Sequence, residues 1–216
     1  MLWRSPSSFS REVFLLGGEI SRAFDRKNFG VGCPGGVEAV AHSLRDVLHR
    51  HKKSGLALLK IDFKNAFNLL DRGAFVRASA KMFPGLERWT WWCYNQSPLL
   101  VYDHSRLFWS QCGVQQGDPL GPLYFCCGLQ ALIDQIAELH PEYQKWYMDD
   151  GGIVGNPELL IKVWEILKVG GPPLGLILNP QKCEWSWLNP HSQCSNYPYG
   201  QNSDLGSVPK RLLTIM

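Results

Sequence analysis

Two adjacent carboxylates, Asp149 and Asp150, are the residues of this sequence whose types and spacing most directly suggest chemistry. They lie in the stretch KWYMDDGGIVG, between residues 146–148 and 153–154, which favour β-strands. Asp-Asp followed by Gly-Gly is itself typical of a tight β-turn, since Asp tolerates turn geometry and Gly supplies positive φ. The stretch therefore predicts a β-hairpin with both carboxylates at its tip. There each carboxylate raises the pKa of the other unless a cation neutralises them.

A third acid, Asp62, ends the apolar stretch GLALLKIDF, which predicts a buried strand. An isolated acid there is costly unless it is paired or bound to a metal, although a helix cap or turn acid is the more usual role of any single Asp. If this strand lies beside the hairpin, Asp62, Asp149 and Asp150 converge. A site of carboxylate oxygens alone suits Mg²⁺ or Mn²⁺ rather than zinc or iron. Two such ions about 4 Å apart are the usual device for moving phosphoryl groups.

The composition is that of a globular protein. Of the 216 residues, 45% are hydrophobic and 19% charged, which excludes a disordered chain and allows one large domain or two small ones. The net charge of +3 permits a nucleic-acid partner without arguing for it. Seven cysteines without a paired Cys-x-x-Cys arrangement indicate free thiols. With no bilayer-spanning apolar run and no signal peptide, we expect an intracellular protein, nuclear or cytoplasmic, without a membrane partner.

The elements that must position the acids alternate between helix and strand. Asp71 and Asn156 are typical N-caps, and the second is followed by Pro at the first helical position. LLVYD and RLFWSQC predict the arms of a second hairpin, and KCEWSW predicts a last strand. Helical spacing and these caps predict helices over about 37–48, 71–82, 125–139 and 156–170.

Four motifs carry a family resemblance. KIDFKNAFN, GVQQGDPLGPLYF, WYMDDGGIVG and GLILNPQKCE occur in the order and approximate spacing of successive motifs of reverse transcriptases, and the chain resembles those of non-LTR retrotransposons most closely. FGVGCPGGVEAVAHSL resembles the family's connection between fingers and palm. The resemblance implies an α+β fold, a right-hand polymerase palm whose antiparallel sheet is backed by helices. It implies partial fingers over residues 1–55 and the palm over 56–187. From Leu188 onward Pro, Ser, Asn and Gly replace the periodic pattern, which predicts a disordered or poorly packed tail over 188–216.

The resemblance also implies an activity, RNA-directed DNA polymerisation with an RNA template, a DNA primer and deoxynucleotide triphosphates. Two Mg²⁺ or Mn²⁺ ions would be held by Asp62 and Asp149, with support from Asp150 and the backbone carbonyl of Phe63. Lys182 stands in the place of the family's fourth-motif lysine, which is implied to protonate departing pyrophosphate. An exposed strand lysine is an equally good interpretation of that residue.

Further residues are implied to face the nucleotide, the primer or the template. Met148 would lie near the primer end, and the ring of Phe67 would face the sugar of the incoming nucleotide and exclude a 2′-hydroxyl. A core aromatic is the alternative interpretation of Phe67. The full set implied to bind nucleotide or template is Arg22, Phe67, Gln116, Gly117, Tyr147 and Met148.

The ends of the sequence depart from the family pattern. Only GGEISRAFDRK resembles part of the fingers before FGVG, and the residues after KCEWSW lack the helical periodicity of a thumb. We therefore expect a fingers and palm fragment without a thumb, as in a truncated or decayed retrotransposon copy. Three alternatives remain open: an inactive nucleic-acid-binding remnant, a relic with no biochemical role, and an RNA-templated RNA polymerase.

Overall fold

The computed structural model describes residues 17–24, 26–103 and 106–189. Short 3₁₀ turns occur at Pro84–Leu86 and Pro172–Leu174. The strands are β1 Ala57–Ile61, β2 Leu99–Asp103, β3 Arg106–Trp109, β4 Tyr143–Tyr147, β5 Asp150–Gly155 and β6 Glu184–Trp187. The helices are α1 Gly17–Ala23, α2 Gly36–Arg50, α3 Ala66–Leu69, α4 Arg72–Met82, α5 Glu87–Tyr94, α6 Gly121–Ala137 and α7 Pro157–Gly170.

The main sheet has the strand order β4-β5-β1-β6, and every neighbouring pair is antiparallel. Leu59 and Ile61 of β1 are fully buried and belong to the main core, whereas Lys60 between them is exposed. This alternation is what a strand covered mainly on one face produces. The antiparallel sheet backed by helices confirms the predicted α+β class.

The sequence predicted the first residues of two helices correctly, from the Asp and Asn that cap them. The Asp71 side chain accepts a hydrogen bond from Ala74 N at 2.6 Å and caps α4. The Asn156 side chain accepts one from Leu159 N at 2.8 Å and caps α7. Both carboxylate and amide oxygens satisfy N–H groups that have no partner within the helix.

Helix α6 is buried more completely than its sequence suggested. The predicted single apolar face is too narrow, because all residues from Leu123 to Gln130 are buried. The helix packs between α4 and α7, and Gly128 allows a close approach: a Cβ there would lie 3.0 Å from Leu70 and 3.2 Å from Phe75. α6 is therefore the central helix of the core, not a surface helix.

The opposite face of the sheet is covered by α2. Val47 packs there with Tyr143, Val154 and Leu188. Leu188, at which the sequence pattern fades, is buried, and its N–H donates to the Leu56 carbonyl at 3.0 Å. Leu188 is therefore not part of a poorly packed tail, and the rest of the predicted tail over 188–216, from residue 190 onward, lies outside the described residues.

The second hairpin, β2 with β3, forms a separate two-stranded sheet, as its sequence predicted. Its turn residues His104 and Ser105 lie outside the described residues. Within the part of the chain that the structure describes, no helix is long and apolar enough to span a bilayer.

Candidate active site

The strand register brings the three acids to one end of the sheet. Ile61 of β1 pairs with Gly151 of β5, so that Asp62 follows β1 where Asp150 begins β5. Asp149 lies in the turn that joins β4 to β5. The predicted hairpin with both carboxylates at its tip, next to the strand that ends at Asp62, is therefore confirmed.

Asp62 has a fixed backbone and an unpaired side-chain oxygen. Its carbonyl accepts from Asn179 N at 2.9 Å, and the buried Cys183 thiol lies 3.3 Å from its N–H and 3.4 Å from its carbonyl oxygen. Its Oδ1 is buried and has no hydrogen-bond partner among the described residues. A buried carboxylate oxygen without a protein partner is costly, and binding of a cation is one way to satisfy it.

The electrostatics of the turn connect the acids to one another. Burial raises the pKa of Asp149 above its usual value, and the charges of Asp150 and Asp62 raise it further. The Asp149 backbone N–H and the Lys182 ammonium act in the opposite direction and lower this pKa. Four of the predicted side chains thus share one electrostatic environment. Within residues 17–24, 26–103 and 106–189, no three His, Cys, Asp or Glu side chains form a group already arranged to hold a metal.

The Phe63 carbonyl points away from Leu178, towards the side of β1 on which β5 and the carboxylate turn lie. Phe63 forms an antiparallel bridge with Leu178, and the two hydrogen bonds of this bridge run from Lys64 N to Ile177 O and from Asn179 N to Asp62 O. In such a pair the bridging residue's own N–H and C=O point to the other side of the strand. That side is occupied by β5, since β1 lies between β5 and β6.

The turn itself has a conformation that the sequence did not predict. Positive φ falls on Met148, at 54°, and not on Gly151 or Gly152, which belong to β5. The expectation that these glycines supply the turn's positive φ is therefore wrong. Gly151 is instead required for packing, because a Cβ there would overlap the ring of the fully buried Trp146. Tyr147, half-buried, pairs with Asp150 across the hairpin.

Sequence reasoning missed Asn28, which is 2% exposed and contacts the turn directly. Its Oδ1 accepts from Met148 N at 3.2 Å and from Gly30 N at 3.0 Å, and its Nδ2 donates to Met148 O at 3.4 Å. The only available signal was its place beside the FGVG stretch, which was assigned to a connection and not to the site.

The loop 114–120 holds Gln116 and Gly117 near the start of α6. Gln116 is exposed and its Nε2 donates to Asn68 Oδ1 at 3.3 Å. Gly117 has φ +92°, a conformation that side chains rarely adopt, and a Cβ there would meet nothing within 4 Å. The exposed backbone at Gly117 is therefore open to a ligand.

Two buried side chains, neither of them predicted, hold this loop and the segment that leads into it: Tyr94 contacts the loop, and Arg72 contacts residues 110–113. Arg72 is 9% exposed, and its guanidinium donates to backbone carbonyls of Ser110, Cys112 and Gly113. The Tyr94 hydroxyl donates to Asp118 Oδ2 at 2.6 Å. That hydroxyl also accepts from the N–H of residue 115 at 3.2 Å.

Phe67 and Arg22 remain predictions as nucleotide-binding residues. The Phe67 ring is half-buried and stacks on Phe125, with centroids 4.3 Å apart and planes 12° apart. Arg22 is an exposed residue of α1. Lys182 is also exposed, four residues after Leu178, in the segment that holds the Asp62 backbone.

Comparison with known proteins agrees with this geometry. The family model described as reverse transcriptase (RNA-dependent DNA polymerase) matches residues 23–199. The retrotransposable element SLACS 132 kDa protein of Trypanosoma brucei gambiense is 32% identical over 175 residues, which cover 76% of this chain and 14% of that protein. This chain therefore spans about a seventh of the length of that curated relative.

Solved structures share the fold at lower identity. Apo telomerase of Candida tropicalis, truncated from its C-terminal domain, superposes with a TM-score of 0.61 at 16% identity, over 82% of this chain and 39% of that chain. Candida albicans telomerase in complex with a TWJ fragment of telomeric RNA superposes with a TM-score of 0.63 at 14% identity, over 89% of this chain and 35% of that chain.

Proposed function

This chain belongs to the reverse transcriptase (RNA-dependent DNA polymerase) family, and we propose that it catalyses template-directed nucleotidyl transfer as the polymerase domain of a retrotransposon. In this reaction the 3′-hydroxyl oxygen of a primer attacks the α-phosphorus of a deoxynucleotide triphosphate. A new P–O bond forms, the bond to the leaving β-phosphate breaks, and pyrophosphate departs. Such chemistry depends mainly on positioning and on stabilisation of negative charge.

The observation that carries the proposal is the buried, unpartnered Oδ1 of Asp62 next to a turn in which burial and two neighbouring carboxylates raise the pKa of Asp149. This donor set fits hard divalent cations such as Mg²⁺ or Mn²⁺, which prefer carboxylate and carbonyl oxygens. Asp62 and Asp149 would hold the ions, with Asp150 and the Phe63 carbonyl in support. When bound, two divalent ions supply the positive charge that activates a hydroxyl and neutralises a leaving phosphate.

The chain's own residues would then divide the remaining tasks. The Lys182 ammonium, whose charge already acts on Asp149, would hold a proton for departing pyrophosphate. The exposed loop at Gln116 and Gly117 would contact the nucleotide and the template. Met148, on the turn, would lie near the primer end, and Tyr147, the last residue of β4, would contact the nucleotide or the template. Phe67 would face the nucleotide sugar and Arg22 the triphosphate.

The decisive assay is extension of oligo(dT) on poly(rA) with Mg²⁺ or Mn²⁺. We expect incorporation of dTTP by the wild-type chain and none by Asp62→Asn. The matched control is Asp46→Asn, because Asp46 is an exposed acid of α2 that pairs with Arg50 at 3.0 Å. Equal activity of all three proteins would refute the assignment of the site.

Three further measurements separate the alternatives. Incorporation of UTP in preference to dTTP would identify an RNA polymerase. If no nucleotide is incorporated, Mn²⁺ binding followed by electron paramagnetic resonance and a gel-shift series over salt distinguish an inactive nucleic-acid-binding remnant from a relic. Binding to nucleic acid through phosphates weakens steeply as salt rises.

A further inference from the structure

We infer that Asn28 positions the Asp149-Asp150 turn, as a buried amide clamp between the chain segment before α2 and the end of β4. The catalytic consequence rests on the proposed nucleotidyl transfer, whereas the clamp itself does not. Asn28 and Met148 are 120 residues apart in sequence, and Met148 immediately precedes the first acid of the turn.

The hydrogen bonds of Asn28 leave one orientation for its amide. Two N–H donors, of Met148 and Gly30, face Oδ1, while the Met148 carbonyl accepts from Nδ2. A reversed amide would place its NH₂ group against two N–H donors, so the observed orientation is the one that satisfies all three groups. Asn28 thus forms hydrogen bonds with both the N–H and the C=O of Met148.

The segment around Asn28 is itself held in place by the sheet. Phe29 N donates to Trp146 O at 2.8 Å, and Trp146 N donates to Lys27 O at 2.7 Å. These bonds form a short parallel bridge that covers the outer edge of β4. The backbone on both sides of Asn28 is therefore hydrogen-bonded to β4, and its side chain contacts the turn from this position.

The turn needs this support because of its backbone. Met148 has φ 54°, which is unfavourable for a residue with a side chain and persists where surrounding contacts hold it. Removing both amide contacts would let Met148 relax towards negative φ. That change would redirect the next peptide and with it the Asp149 side chain.

Gly30 is the second part of the clamp. A Cβ at Gly30 would lie 2.5 Å from Met148 Cγ and 2.7 Å from Met148 N, distances that real Cβ atoms do not reach. Gly30 does not have a positive φ, so its backbone conformation does not require glycine. Glycine is required because Met148 leaves no space for a side chain. Gly30→Ala should therefore push the turn away without removing any amide.

The test uses the intact chain with methionine methyl groups labelled with ¹³C. The sequence has four methionines, so Met148 is assigned by its loss in Met148→Leu, and Met82 in α4 serves as the internal reference. We expect Asn28→Ala and Gly30→Ala to shift or broaden the Met148 signal and to leave Met82 unchanged. In primer extension, both variants should lower kcat by roughly 10–100-fold, with the KM for nucleotide changed by less than about threefold.

Two matched controls remove the effect of general destabilisation. Asn156→Ala deletes an Asn hydrogen bond of 2.8 Å at the far end of β5. Gly55→Ala adds a Cβ where nothing lies within 4 Å. Both should retain the Met148 signal and kcat, measured well below each variant's melting temperature.

The experiment tests the Asn28 clamp and the proposed polymerase function independently. A Met148 signal and a kcat in Asn28→Ala and Gly30→Ala that match the controls would overturn the clamp. If the wild-type chain extends no primer, the proposed function fails and the Met148 signal alone decides the clamp. If Asn28→Ala does not fold, Gly30→Ala decides it, because that variant keeps the Asn28 side chain and displaces Met148 from it.

Discussion

Replacing Arg72 with Met should loosen residues 110–117, because Arg72 holds residues 110–113 and the loop with Gln116 and Gly117 follows directly. The size of the effect follows from the contacts. The guanidinium donates to Gly113 O at 2.9 Å, to Ser110 Oγ at 2.7 Å and to the carbonyls of Ser110 and Cys112. It also lies 5.5 Å from the centre of the Tyr94 ring. Met retains most of the apolar length and removes every donor.

The oxygens that accept from Arg72 differ in how well water can replace the guanidinium. Gly113 is buried, so its carbonyl would remain unsatisfied, at a cost of about 1–3 kcal/mol. Cys112 is exposed and Ser110 half-buried, so water can replace part of their loss. Removing a buried charge also recovers desolvation energy, since burial lowers the pKa of Arg72 and disfavours its charged form. The free energy of unfolding should therefore fall by about 3 kcal/mol, which lowers Tm by roughly 6–12 °C in a chain of this size.

The matched control is Arg77→Met, because Arg77 is an exposed residue of the same helix. Its free energy of unfolding should change by less than about 0.5 kcal/mol. Arg72→Lys should recover only a small part of the loss, since an ammonium cannot present the planar fork that spans several carbonyls. Thermal unfolding measures the stability, and hydrogen exchange of peptides covering residues 110–117 measures the loop.

Either of two results would refute this role of Arg72. One is a Tm for Arg72→Met that equals the Tm for Arg77→Met. The other is a lower Tm without faster exchange in residues 110–117, which would show that Arg72 stabilises α4 and not the loop.

Three further predictions concern the site and its support. Asp149→Asn should reduce metal-dependent extension by on the order of 100-fold or more. It should nevertheless raise the metal-free Tm, because it removes a half-buried carboxylate next to two others; unchanged activity would contradict its role. Phe67→Val should lower stability by about 1–2 kcal/mol, since the ring stacks on Phe125, and should raise the ratio of ribonucleotide to deoxynucleotide kcat/KM if the ring faces the sugar. An unchanged ratio with a lowered Tm would leave Phe67 a core residue. Tyr94→Phe should cost about 1–2 kcal/mol in thermal unfolding because Asp118 loses its hydroxyl donor; a Tm equal to that of the wild type would show that the hydroxyl is replaced by water.

Much of the fold could be predicted because its signals are local. Asp71 and Asn156 cap α4 and α7 through hydrogen bonds to N–H groups three residues away, a distance that a short sequence window contains. The carboxylate hairpin and the strand that ends at Asp62 were likewise readable from alternating and apolar runs. The order of four motifs predicted the family, and the match over residues 23–199 confirms it.

The features that hold the candidate site were decided by the tertiary structure. Asn28 reaches Met148 across 120 residues of sequence, and Arg72 reaches Gly113 across 41, so no local pattern records either contact. The positive φ of Met148 falls on the first residue of the two-residue turn between Tyr147 and Asp150, and the strand register, not the position of the glycines, decides this. The sequence by itself determined which acids stand at the ends of which strands. Only packing between distant segments decided how the turn and the loop around those acids are held. Asn28 and Arg72 contact backbone that is distant in sequence and comes close only when the chain folds.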